Sequence, residues 1–161
     1  MTEKIIGRQK EIAQIQKCMD ANQAQLIIVY GRRRVGKTFL INNFFNGRFD
    51  FKVAGSYSQT KEMQLKNFIT ELNLQSKQNL KTPENWTEAF FSLREYLENL
   101  PKDEKHVIFF DEMPWLDTPR SDFLPAFEYF WNNWGSAQDN LVCLVCGSAT
   151  AWLVDNMKSF R

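Results

Sequence analysis

Leu26-Ile27-Ile28-Val29-Tyr30-Gly31-Arg32-Arg33-Arg34-Val35-Gly36-Lys37-Thr38-Phe39-Leu40-Ile41-Asn42-Asn43-Phe44-Phe45 is the stretch on which the fold turns. Its first five residues form an apolar, β-branched run suited to a strand buried on both faces. Further on, Leu40, Ile41, Phe44 and Phe45 recur at helical spacing, and Asn46-Gly47 supplies a stop. Between strand and helix, Gly31 to Thr38 complete the pattern G-x-x-x-x-G-K-[ST] of a phosphate-binding loop, a pattern that carries meaning only in this strand, loop and helix setting.

The chemistry of such a loop lies in its backbone. Gly31 and Gly36 let the chain curl close to a polyphosphate, where a Cβ would meet phosphate oxygens or forbid the required dihedrals. The first N–H groups of the following helix are unpaired and carry a partial positive charge, which adds to the attraction for an anion. Lys37 is placed to reach the β- and γ-phosphates and the Thr38 hydroxyl to ligate Mg²⁺. Arg32, Arg33 and Arg34 either touch phosphates or stand solvated. With Val35 in the loop and Phe39 just after it, Gly31 through Phe39 form the candidate nucleotide-contacting set.

A loop of this kind needs an acidic residue at the end of a second buried strand, and His106-Val107-Ile108-Phe109-Phe110-Asp111-Glu112 supplies two. Asp111 is the candidate for the Mg²⁺ shell and Glu112 the candidate general base on the attacking water. A third apolar run, Leu141 to Cys146, leads into Gly147-Ser148-Ala149-Thr150, which by itself reads as a helix N-cap after a strand.

Ile6-Gly7-Arg8, Gly31 to Thr38, Phe110-Asp111-Glu112-Met113-Pro114-Trp115, Asp117-Thr118-Pro119-Arg120 and Cys146-Gly147-Ser148 together resemble the prokaryotic and archaeal P-loop ATPases of the AAA+/STAND type. The resemblance runs through nearly the whole chain in order. It implies an α/β three-layer sandwich with a mostly parallel sheet, in the spatial order first, fourth, third, second, and ATP with Mg²⁺ as ligands. It also implies that Ser148, with Thr150 as runner-up, senses the γ-phosphate from the strand between the other two motifs, and that Ile6 and Arg8 lie beside the adenine. Gln9 stands where an acidic residue is usual. No fifth strand, helical lid or site-completing arginine is found before Arg161, so the expectation is one ATPase core over residues 1–161 that forms the N-terminal part of a longer protein. The arginine would then come from a second copy or a downstream domain.

Composition frames these readings. With 161 residues and 43% hydrophobic content, one core and one domain are expected. The net charge of +1, with both signs interspersed, leaves no polybasic footprint, so nucleic acid stays an open partner. No apolar run approaches membrane-spanning length and the start is not a signal peptide, so the expected location is the cytoplasm, with no membrane partner. Cys18, Cys143 and Cys146 are expected as reduced thiols, and strand alternation points Cys143 and Cys146 to opposite faces. The single histidine excludes a two-histidine zinc site.

The strands are expected at 26–30, 49–57, 106–111 and 141–147. Stripes at Ile12, Ile15 and Met19, at Leu65, Phe68, Ile69 and Leu72, at Trp86, Phe90, Leu93 and Leu97, and at Phe123, Phe127, Phe130 and Trp134 mark helices that cover the sheet. Two functions from different classes are consistent with these features. One is Mg-dependent ATP hydrolysis driving a conformational change, which Glu112 favours. The other is a switch or interaction module that binds ATP with little or no turnover.

Overall fold

The computed structural model describes residues 9–30, 36–157 and 160. Among them the four apolar runs become parallel strands, β1 (Gln25–Tyr30), β2 (Phe51–Ala54), β3 (His106–Asp111) and β4 (Leu141–Gly147), in the spatial order β1-β4-β3-β2. The expected α/β architecture and strand order are both observed. β3 and β4 are buried along their whole length, which is why they read as unbroken apolar runs rather than alternating ones.

Alternation inside those runs divides the core in two. Ile108, Phe110, Cys143 and Val145 face one side, where they meet the helices α3 (Lys61–Ser76), α4 (Trp86–Glu98) and α5 (Phe123–Asn133). Val107, Phe109, Val142, Leu144 and Cys146 face the other, against Ile41 of α2 (Lys37–Phe44), with Met19 of α1 (Gln9–Asp20) at the margin. Cys143 and Cys146 therefore lie on opposite faces, as strand geometry requires. Helix α6 (Thr150–Met157) follows β4 and buries Leu153 and Met157.

The aromatic stripes are packed faces. Phe90 of α4 sits among Phe68, Trp86, Phe110, Phe123, Phe127 and Phe130, with ring centroids between 5.3 Å and 6.0 Å away. Such tilted and edge-to-face pairs add to the burial of each ring. Helix starts follow their caps: the Asn85 side chain accepts the Glu88 N–H at 2.8 Å, and the Glu88 carboxylate returns to the Glu84 N–H at 3.2 Å, one residue before the cap.

β2 is shorter than the expected 49–57, and side chains explain both ends. Before it, the Asp50 carboxylate accepts the Val107 N–H at 2.8 Å and faces His106 Nδ1 at 3.2 Å, while His106 Nε2 lies 2.6 Å from the Pro101 carbonyl. After it, the Gln64 amide takes the N–H of Ser56 at 3.1 Å and gives to its carbonyl at 2.7 Å, which turns the chain toward α3. Gln75 does the same to Lys52, at 2.7 Å and 2.8 Å. Two glutamines of α3 thus occupy backbone groups that an edge strand would otherwise offer to another chain. Among the described residues, no helix is long and apolar enough to cross a membrane.

Candidate active site

Four parallel strands end on the same side of the sheet, and the candidate site is assembled from the residues just beyond their C-terminal ends. Gly36 adopts the left-handed conformation, φ 76° and ψ 27°, immediately before α2, and its carbonyl accepts the Leu40 N–H at 2.8 Å. A side chain at Gly36 would be strained there, so the second glycine of the motif is used for its backbone freedom. Lys37 opens α2 and is buried despite its charge, at 6% exposure. Phe39 is half exposed on the first turn. Gly31, Arg32, Arg33, Arg34 and Val35, together with Ile6 and Arg8, lie outside the described residues.

The Thr38 hydroxyl donates to Asp111, 3.1 Å from each carboxylate oxygen. This contact joins residues 73 apart in sequence, from the helix after β1 to the end of β3, with β4 between the two strands. Asp111 is 8% exposed and closes the strand. Next to it, Glu112 leaves the strand in a left-handed conformation, φ 48° and ψ 47°, and starts a 3₁₀ turn over Met113–Leu116. Its Oε2 accepts long hydrogen bonds from Ser148, 3.4 Å from the backbone N–H and 3.3 Å from the hydroxyl. Ser148 thereby sits beside Glu112, whereas Thr150 is already the first residue of α6.

Cys146 lies beneath this group, fully buried. Burial pushes its thiol up to about 12, and the neighbouring Asp111 carboxylate adds to the rise while Lys37 opposes it. Cys143, on the other face, is raised further by burial alone. Both are expected from the sequence as reduced thiols, and both are free and buried. No signal in the sequence distinguishes Cys146 as the one that faces the charged cluster.

Among the described residues, no group of three or more His, Cys, Asp and Glu is arranged to hold a metal ion. A hydroxyl and one carboxylate 3.1 Å apart fit a Mg²⁺ ion that keeps most of its shell in water and phosphate oxygens. Zinc or calcium sites built from protein ligands alone need more donors than these.

Strand order, a left-handed glycine at the head of α2 and the joining of Thr38 to Asp111 define a P-loop ATPase fold. Over residues 5–159 the chain belongs to the family of ATPase domains found predominantly in Archaea. It is 44% identical, over 43 residues, to an uncharacterized ATP-binding protein of Methanocaldococcus jannaschii, a match spanning 27% of this chain and 73% of that protein. The Walker-type ATPase of Pyrococcus abyssi is 25% identical with a TM-score of 0.63, covering 96% of this chain and 48% of its own. Two further solved structures share the fold. Drosophila ORC bound to DNA has a TM-score of 0.66 at 16% identity, covering 96% of this chain and 41% of its own. The ORC2 protein of Aeropyrum pernix, in ADPNP–ADP complexes, has 0.64 at 14%, covering 98% and 46%. This chain thus spans less than half the length of each of these solved proteins.

Proposed function

We propose that this chain binds Mg-ATP at the head of α2 and hydrolyses it to ADP and phosphate. The observation that carries the reading is the Thr38–Asp111 contact, because it brings the hydroxyl and the carboxylate expected around Mg²⁺ within 3.1 Å from two separate elements. Lys37, with the N–H groups of the loop and of the first turn of α2, binds the β- and γ-phosphates. Thr38 and Asp111 would hold a Mg²⁺ ion, which when bound would neutralise charge on the phosphate oxygens. Gly31, Arg32, Arg33, Arg34, Val35, Gly36 and Phe39 line the nucleotide, and Ile6 and Arg8 lie toward the base.

Glu112 is the general base in this reading. It is next in the chain to Asp111, and its Oε2 is tethered to Ser148, so a proton taken from water would arrive at a carboxylate oxygen already oriented by a neighbouring strand end. Ser148 can then exchange its Glu112 contact for the γ-phosphate, which links hydrolysis to movement at the start of α6. Residues 1–161 act as one ATPase core in this proposal, and an arginine from a second copy or another part of the protein supplies further charge stabilisation to the transition state. The energy released drives a conformational change.

Glu112→Gln tests the assignment. It keeps the shape of the side chain and removes the base, so Mg-ATP affinity should persist while the hydrolysis rate falls by a factor of about 10² to 10⁴. Phosphate release at the wild-type rate would place the base elsewhere. A wild-type protein that binds ATP without releasing phosphate would favour the switch reading.

A further inference from the structure

Glu112 occupies a backbone conformation that a non-glycine residue enters only at an energetic cost, so something around it must enforce the turn. The enforcing contacts come from the two strands that flank β3. On one side Gly55 follows β2, and its N–H donates to the Asp111 carbonyl at 2.8 Å, which carries the strand pairing up to the turn. A Cβ on Gly55 would lie 2.3 Å from the Glu112 carbonyl oxygen, 2.9 Å from the Trp115 Cβ and 3.2 Å from the Leu116 N. Two of these three atoms are backbone, and none belongs to the free end of a flexible side chain. On the other side Gly147 ends β4, and a Cβ there would lie 2.7 Å and 3.0 Å from Cδ and Cγ of Pro114. Both distances are shorter than a carbon–carbon contact tolerates.

Neither glycine is needed for its own dihedrals, since among the described residues the glycines at positive φ are Gly36 and Gly47. What both supply is space. The turn Glu112–Leu116 is pressed between two strand ends that lack side chains, and the Glu112 carbonyl is held further by the Trp115 N–H at 3.1 Å.

We infer that Gly55 and Gly147 are positioning residues for Glu112, a pair of bare strand ends that clamp the turn after β3 and thereby aim the Glu112 carboxylate at the nucleotide. The inference rests on the assignment of Glu112 as general base. A methyl group at either position displaces the turn, moves the carboxylate away from Ser148 and the attacking water, and leaves Lys37, Thr38 and Asp111 where they are. Its signature is therefore a loss in kcat with nucleotide affinity retained.

Gly55→Ala, Glu112→Gln and the double variant, made in the full chain, separate the two ideas. If Glu112→Gln hydrolyses ATP at the wild-type rate, the general-base assignment fails, whatever the glycines do. With Glu112→Gln inactive, Gly55→Ala should bind Mg-ATP within about threefold of wild type and lose kcat by about tenfold or more, and the double variant should be no slower than Glu112→Gln alone. Wild-type kcat in Gly55→Ala, or a loss that multiplies with that of Glu112→Gln, overturns the inference. A crystal structure of Gly55→Ala gives a readout independent of activity: Glu112 should leave its left-handed conformation or the turn should shift as a body, and an unchanged turn with φ near 48° overturns the inference. Should Gly55→Ala not fold, Gly147→Ala takes its place with the same expectations. Pro114→Ala, which removes the ring atoms that the new methyl would meet, should then restore the turn and the turnover, and failure to restore either is the contrary result.

Discussion

Thr38→Val tests the contact on which the functional reading rests. The substitution keeps a β-branched shape and a similar helix propensity, and it removes only the hydroxyl. That hydroxyl donates to a carboxylate that is 8% exposed, so its loss leaves Asp111 short of a donor in a place with little access to water. Loss of one partner of a buried polar group costs about 1–3 kcal/mol. A loss of that size in a chain of this length corresponds to a fall in Tm of about 2–12 °C, measurable by thermal denaturation without nucleotide. A second effect separates metal from phosphate. Affinity for ATP without Mg²⁺ should change little, because Lys37 and the backbone are intact, whereas the gain on adding Mg²⁺ should shrink by about tenfold or more, equivalent to about 1.4 kcal/mol. Calorimetry with and without Mg²⁺ gives the ratio. An unchanged Tm together with an unchanged ratio would refute the argument that Thr38 and Asp111 form one metal-binding pair.

Lys37→Ala removes the cation at the head of α2 and should abolish ATP binding or weaken it severely in a protein with an intact fold, and unchanged affinity by calorimetry would mean that the loop is not the site. Cys143 and Cys146 should react slowly with a thiol reagent near pH 8 in the native protein, whereas unfolding should expose three free thiols. Because the folded Cys146 thiol is held at about 12 against an ordinary 9.0, its contribution to stability is complete below about pH 9 and is lost as pH rises toward 12. Denaturation across that window should show the decline, and fast native labelling of Cys146 would contradict the burial.

Much of the fold is legible in the chain because β1, β3 and β4 are each a dense apolar run bounded by polar residues. All three appear within one residue of expectation, and the strand order agrees with that implied by the family resemblance. β2 is shorter than its sequence suggests because its limits depend on Asp50, Gln64 and Gln75, whose amides and carboxylate reach the strand only after β3 and α3 have packed against it. The contact of Thr38 with Asp111 is legible in the two motifs, since the sequence expects both residues around one Mg²⁺ ion. The roles of Gly55 and Gly147 are not. A glycine required by close approach has no local signature, and these two become special only when the register of β2 against β3 and of β4 against β3 brings backbone and ring atoms within reach.

The same register accounts for why β4 ends in small residues. β1 and β3 are not neighbours, and with β4 between them they stand two strand spacings apart, about 9.6 Å. The first turn of α2 must cross that distance for Thr38 to touch Asp111, so it has to pass over the end of β4. Val29 is paired with Cys146 and Tyr30 with Gly147, which places these two residues under the crossing. Cys146 fills the space below Lys37 and Asp111 with a single sulfur, Gly147 leaves room for Pro114, and Ser148 contributes a hydroxyl short enough to reach Glu112 without blocking what lies above. A large apolar residue at 146 would add buried area, yet it would lift α2 from the sheet and part Thr38 from Asp111. The end of β4 is therefore shaped less by its own stability than by the need for two motifs, on strands that never touch, to meet above it.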